Sequence, residues 1–301
     1  MGTDNLAPIV LFVYNRLDHT KCTIDHLKKN RLANQSNLYI YSDAAKTIED
    51  NPAVDAVRQY IKSVDGFKEV KIIERAANRG LADSIISGVT EVCEKHGKVI
   101  VLEDDLETSP WFLTYMNESL EMYKEQNQVM HISGCCYPIE PETPESTFFL
   151  QVPLCWGWAT WHRAWQYFEK DLNMIGKFSD EQISLFNFDD TYDYFAQLTA
   201  NRDGRLDTWF VFWYATVFLD GGLSLFPSVS MVRNIGMDGS GTNCSNTNVF
   251  QIKNIATKHL FLEPIPLRTS GKAFSLHKNY FKAIRPSLLS KIKQRSSRLL
   301  S

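Results

Sequence analysis

Short apolar runs and amphipathic stretches take turns along the first 135 residues. Pro8–Tyr14, Leu38–Tyr41, Val70–Ile73, Val99–Leu102 and Val129–Ser133 are apolar runs of strand length, as strands buried on both faces of a sheet require. Between them Asp18–Lys29, Pro52–Ser63, Leu81–Lys95 and Pro110–Tyr123 carry helical spacing; Ile85, Val89 and Val92 share one side of the third. Asp18 is placed to cap the first helix, and Pro110 lies near the first turn of the last. This alternation predicts an α/β fold, a mostly parallel sheet flanked by helices. The chain shows no internal repeat; residues 140–145, Glu-Pro-Glu-Thr-Pro-Glu, read as a loop.

The second half has another texture. Residues 155–165 hold four of the seven Trp: Trp156, Trp158, Trp161 and Trp165. Aromatics this dense are either core filler or a platform for sugar rings. Gly157 between two Trp predicts a close backbone approach. Asp207 precedes the apolar helix Phe210–Leu219 and suits its N-cap. Residues 227–244 read as a strand followed by a loop with Gly236, Gly239 and Gly241, able to fold over a ligand.

The polar residues of the first half cluster where the strands end. Asn15 and Arg16 follow the first strand, Ser42 and Asp43 the second, Asn78, Arg79 and Gly80 the third, and Glu103, Asp104 and Asp105 the fourth. In a parallel sheet these ends share one edge, which makes a ligand crevice. Asp43 suits a nucleobase or ribose, and Arg16 or Arg79 suits a phosphate; singly, each is more often a cap or a surface charge, and their convergence on one edge is the stronger argument. Three adjacent acids call for a positive partner. A hard divalent cation bridging phosphates is one solution, and a solvated turn capping the next helix is the other. Neither G-x-G-x-x-G after the first strand nor G-x-x-x-x-G-K-[ST] occurs, which disfavours dinucleotide dehydrogenases and P-loop NTPases.

Composition and charge narrow this further. The 301 residues are 44% hydrophobic, enough for a sizeable core. Six Cys stand without a C-x-x-C pair, so a zinc site is not expected. No basic, apolar leader opens the chain and no apolar run nears ~18 residues; a cytoplasmic protein with free thiols is the expectation. After Glu263 there are nine Lys or Arg and no acid, so a net charge of −3 leaves −12 on the rest. The body offers no basic, aromatic-studded face, which argues against nucleic acid. Residues 285–301 set Leu288, Leu289, Ile292, Leu299 and Leu300 among Lys291, Lys293, Arg295 and Arg298. That pattern fits a helix lying on an anionic membrane surface or a disordered basic terminus.

The run Val-Leu-Glu-Asp-Asp-Leu-Glu-Thr-Ser-Pro-Trp-Phe, residues 101–112, resembles the nucleotide-sugar motif of the N-acetylglucosaminyltransferase I-like GT-A glycosyltransferases. The similarity extends from about Pro8 to about Asn243. Residues 8–16 resemble the family's first strand, Ser42-Asp43 its base-binding acid, Gly157-Trp158 the Gly-Trp before its acceptor region, and Asp207-Thr-Trp209 the Asp-x-Trp carrying its catalytic base. The loop Asn234-Ile-Gly-Met-Asp238-Gly239-Ser240-Gly-Thr resembles bacterial capsule and O-antigen sugar transferases. The resemblance implies a GT-A-like domain over residues 1–265 and a basic tail over 266–301. Within that domain, 1–135 would be the nucleotide-sugar-binding half and 136–265 an acceptor-side α+β half.

It also implies the chemistry. Asp105 would hold Mn²⁺ or Mg²⁺. Asn15, Arg16, Asp43, Asn78, Arg79, Glu103 and Asp104 would bind the donor, a UDP-sugar in the resembled family. Asp207 would be the base of an inverting transfer, though a retaining one shares the same fold. Trp156, Gly157, Trp158, Asp238, Gly239 and Ser240 would face the acceptor, a glycan or lipid-linked hydroxyl in bacterial surface polysaccharide synthesis. An N-terminal anchor or stem of the kind Golgi enzymes carry is not expected, nor is a Golgi enzyme. A sugar nucleotidyltransferase would need a Gly-rich basic loop where Tyr14–Asp18 stand. A non-catalytic carbohydrate- or membrane-binding protein would explain the Trp and the tail but not the acids.

Overall fold

The computed structural model describes residues 5–139, 146–240 and 249–284. The predicted alternation forms β1 (Ile9–Val13), α1 (Leu17–Lys28), β2 (Asn37–Ser42), α2 (Asn51–Ile61), β3 (Glu69–Glu74), α3 (Gly80–His96) and β4 (Lys98–Glu103). All four strands run parallel, side by side in the order β3-β2-β1-β4. Strand order therefore reverses beside β1, and the loops after β1 and β4 border the crevice this makes. Alternate residues of β1 enter different cores. Ile9, Leu11 and Val13 meet Ile24 and Leu27 of α1 and Val57 and Ile61 of α2. Val10 and Phe12 meet Ile85, Val89 and Val92 of α3.

The chain continues through β5 (Leu106–Thr108), α4 (Phe112–Met122), β6 (Val129–Ser133), β7 (Thr147–Leu150), β8 (Trp158–Trp161) and α5 (His162–Trp165). Then come α6 (Asp180–Phe186), α7 (Phe195–Arg202), α8 (Phe210–Leu219), β9 (Leu223–Pro227), β10 (Val232–Asn234) and α9 (Gly271–Ile284). The large sheet has the order β3-β2-β1-β4-β8-β6-β9-β7, with β8 and β7 antiparallel to their neighbours. The protein is thus α/β, a mostly parallel sheet flanked by helices. The fifth predicted strand, β6, does not sit beside β4, because β8 inserts between them.

Three expectations change, and the open choice for the Trp cluster is decided. Asp18 does not cap α1: the N-cap is Arg16, whose carbonyl takes both the Thr20 amide at 2.9 Å and the Thr20 hydroxyl at 2.8 Å. Asp207 does not cap α8, which opens two residues later at Trp209 without a side-chain cap. The Trp cluster is core: Trp158, Trp161 and Trp165 are buried. Their indoles find partners inside, Trp161 on the Leu120 carbonyl at 3.2 Å and Trp165 on the Thr90 hydroxyl at 2.9 Å. Finally, part of the expected basic tail is folded. α9 buries Ala273, His277 and Phe281 against a core shared with β7 and α8. Residues 285–301, and Gly241 to Cys244 of the Gly-rich loop, lie outside the described residues.

Candidate functional site

Arg16, at the end of β1, and Asp104 and Asp105, after β4, meet across the strand-order reversal. Arg16 Nη2 donates to Asp104 Oδ1, and to Asp105 Oδ2 at 2.9 Å. The three side chains are 16%, 6% and 6% exposed. Burial works against the guanidinium charge, but Asp104 and Asp105 together hold the Arg16 pKa above its ordinary value. Burial also raises Asp104, to about 6, although Arg16 opposes it. Glu103 keeps some exposed surface yet sits deep beside the other acids. Burial, then Asp105 and Asp104, push its carboxyl up to about 8.

The positive partner that the acids call for is therefore supplied first by the chain itself. One guanidinium against three carboxyls still leaves the cluster short of positive charge. Among the described residues Asp104 Oδ2 and Asp105 Oδ1 make no hydrogen bond, and Arg16 Nη1 is buried without a partner. Free carboxylate oxygens are the donor set a hard dication takes, and an unpaired buried guanidinium nitrogen is a ready donor to an anion.

A two-stranded sheet brings the Gly-rich loop to this point. β10 pairs antiparallel with β5, Asn234 opposite Leu106. The next amide, Ile235, donates to the Asp105 carbonyl at 2.8 Å. Gly236 then lies so close that a Cβ there would stand 2.1 Å from Asp105 Oδ2 and 2.8 Å from Arg16 Nη1. Asn234 Oδ1 fixes the turn by accepting from the Gly236 amide at 2.8 Å. Asp238, 49% exposed, pairs with His19 of α1 at 3.2 Å. The Ser240 hydroxyl and amide both donate to Asp238 and hold its pKa down at about 2. Gly239 lies in the left-handed region, φ 87°, within the same exposed turn.

The second and third strand ends also meet. The Asp43 carboxylate accepts from Ala44 N, Asn78 Nδ2, Arg79 N and Gly80 N, all within 3.1 Å. Four donors saturate both oxygens, so Asp43 holds the start of α3 in place and has no lone pair spare for a nucleobase. Asn78 also donates to the Ala44 carbonyl, and the Arg79 side chain is exposed. Asn15 turns from the acids to Asp50, at 3.5 Å.

On the acceptor side, Gly157 has φ 63°, and a Cβ there would come within 2.8 Å of Val232; the close approach predicted from the Trp-Gly-Trp run is present. Trp158, 1% exposed, cannot face a sugar. Trp156 is partly exposed, edge-on to Tyr137 and Phe250. Asp207 is 73% exposed and paired with Lys170 at 2.5 Å. Trp209 stacks on Trp158, which lies opposite Val101, two residues before Glu103.

No protein-family model and no curated protein sequence matches the chain. Among solved structures it is similar to a mannosyltransferase of Pyrobaculum calidifontis, described as a complex with GDP-Man and Mn²⁺. The two share 11% identity over 71% of this chain and 69% of that one, with a TM-score of 0.42. It is also similar to S. aureus TarS, at 11% identity over 48% of this chain and 24% of that chain, with a TM-score of 0.32. Likeness at this level identifies no family for the chain.

The structure adds Cys155 and His19 to the site and gives Gly236, already part of the Gly-rich loop, a specific contact. Cys155 lies near the acids, its thiol raised by burial and then by Glu103. Gly236 closes over Asp105, and His19 ties the loop to α1. Arg16, His19, Thr23 and His26 recur at helical spacing, a polar stripe on α1 legible in the sequence. Nothing local marks Cys155.

Proposed function

We propose that the chain is a glycosyltransferase moving a sugar from a nucleotide-sugar donor to an acceptor hydroxyl. The observation that carries this is the charge-deficient cluster of Glu103, Asp104 and Asp105 at the strand-order reversal, with the unpartnered Arg16 Nη1 beside it. A diphosphate carrying a dication fits both needs at once. Asp105, with Asp104, would hold Mn²⁺ or Mg²⁺, which when bound stabilises the charge growing on the departing diphosphate. Arg16 donates to a phosphate oxygen. Asn15, Asn78 and Arg79 line the donor edge, and Asp43 sets the position of the last two. Glu103 contacts the ribose or bound water.

Asp207 is the base of an inverting transfer and takes the acceptor proton; Trp156 and Gly157 border that side. Asp238, held at about 2 by Ser240, is a poor proton acceptor. The resemblance in residues 101–112 and 234–242 supports a GT-A-like enzyme, a UDP-sugar donor and a glycan or lipid-linked acceptor in bacterial surface polysaccharide synthesis.

The test is calorimetric titration with a panel of nucleotide sugars, with and without Mn²⁺ or Mg²⁺, followed by sugar transfer or donor hydrolysis. Dication-dependent binding of one donor, lost in Asp105→Asn, is expected. No binding across the panel, or full turnover in excess EDTA, overturns the proposal.

A further inference from the structure

We propose that Cys22, His26 and Glu107 form a second metal site, of the zinc class, that clamps α1 to β5. Cys22 and His26 stand one helical turn apart on α1, and Glu107 is the middle residue of β5. One ligand atom from each lies within 4.8 Å of the other two. Cys22 Sγ is 3.5 Å from Glu107 Oε1. Tetrahedral zinc with bonds of about 2.0–2.3 Å has ligand–ligand edges of roughly 3.3–3.8 Å. One edge is therefore already formed, and side-chain rotation closes the others.

Two further contacts prepare the ligands. Arg233 holds the other oxygen of Glu107, Oε2, through Nη2 and through Nε at 2.6 Å, which leaves Oε1 toward the thiol. His26 Nδ1 faces the Thr108 carbonyl at 3.4 Å. Only an N–H is productive against a carbonyl, so Nε2 keeps the lone pair that a metal takes, the backing usual for a ligating His. All three ligands are partly exposed, so solvent reaches a fourth position.

Sulfur, nitrogen and oxygen together select a borderline ion such as Zn²⁺ or Co²⁺ over Mg²⁺ or Ca²⁺. The site is thus distinct in chemistry from the all-oxygen cluster at Asp105. On binding, the Cys22 S–H bond breaks, its proton goes to solvent, and a thiolate–metal bond replaces the thiol's hydrogen bond to Glu107. Thiolate and carboxylate match the dication's charge; Arg233 on Glu107, and Lys29 and Asp25 acting on Cys22, are the charged surroundings. β5 follows Asp105 directly and pairs with β10. A clamp at Glu107 therefore steadies the strand pair that carries Gly236. This inference does not depend on the proposed transferase activity.

Titration of the reduced full chain with Co²⁺ tests it by absorbance. One equivalent should give a thiolate-to-cobalt charge-transfer band, absent from Cys22→Ser. His26→Gln should weaken Co²⁺ binding by about tenfold or more. Micromolar Zn²⁺ should raise the melting temperature of the native chain and not of Cys22→Ser. Loss of the band in Cys22→Ser assigns it to this site rather than to Cys155 beside the acids. A band that survives in Cys22→Ser, no band in the native chain at excess Co²⁺, or native affinity in His26→Gln overturns the proposal.

Discussion

At Gly236 the difference between hydrogen and methyl decides whether the acidic cluster can close. A Cβ would stand 2.1 Å from Asp105 Oδ2, and Arg16 prevents that carboxylate from swinging aside. Gly236→Ala should therefore part Arg16 from Asp105 and weaken donor binding by about tenfold or more, while the melting temperature changes little. Calorimetry of the variant with the donor of the native chain checks this, and unchanged affinity would refute it. Asp207 is a different case. It is open to solvent and paired with Lys170, so its removal disturbs no packing. Asp207→Asn should lower turnover about 10²-fold or more, the usual scale of a general base, and leave donor affinity as it was. A native transfer rate in this variant would make Asp207 only an ion-pair partner of Lys170.

Among the elements, α1 has the most to do. Its first residues face the acids, and its middle holds the turn between β4 and β5. The Thr23 hydroxyl donates to the Asp104 carbonyl at 2.8 Å and accepts from the Leu106 amide at 3.0 Å, fully buried. Thr23→Val keeps the shape but leaves both backbone groups unpaired, at a cost of roughly 2 kcal/mol. The melting temperature should fall by about 3 °C, with the acidic turn loosened. A melting temperature within a degree of the native chain's would show that water replaces the hydroxyl. β8 is the element that local pattern reads least well. Its Trp-Ala-Thr-Trp sequence lacks alternation because both faces are covered, by α8 on one side and α4 on the other.

For the whole molecule, two histidines set the response to acid. His131 is buried between the Leu154 carbonyl, 3.1 Å from Nε2, and the Trp213 indole, which donates to Nδ1 at 3.2 Å. Burial pulls its pKa down to about 3. His277, in the aromatic core under α9, is pulled down to about 4 in the same way. Both titrate near 6.5 when unfolded, so the unfolded chain binds their protons first. The stability they contribute is complete above about pH 6.5 and is lost as pH falls below it. Glu103 and Asp104, both raised by burial, act in the opposite sense: the stability they contribute is present at low pH and is lost as pH rises through their folded values.

His277 separates these effects. Its Nδ1 bonds only the Ala273 carbonyl of its own helix, at 2.8 Å, and its Nε2 is buried without a partner. His277→Leu should melt near the native temperature at pH 7. At pH 5 it should be more stable by roughly 2 kcal/mol, the protonation cost it no longer bears. Equal melting temperatures at pH 5 would show that His277 does not carry this cost.

Local periodicity was enough to place β1 to β4, their helices, and the polar residues Arg16, Asp43, Asn78 and the three acids after the strand ends along one sheet edge. That much is legible because spacing records how each residue is buried, and a parallel sheet fixes where strand ends go. Burial says nothing about which surface does the covering. Tertiary structure alone inserted β8 between β4 and β6, turned Trp158 inward and folded α9 out of a basic tail. It alone gave Asp104 and Asp105 to Arg16, and joined Arg233 to Glu107 across 126 residues of sequence. Those are pairings between distant segments, chosen by shape and charge once the sheet exists, and no window along the chain contains both partners.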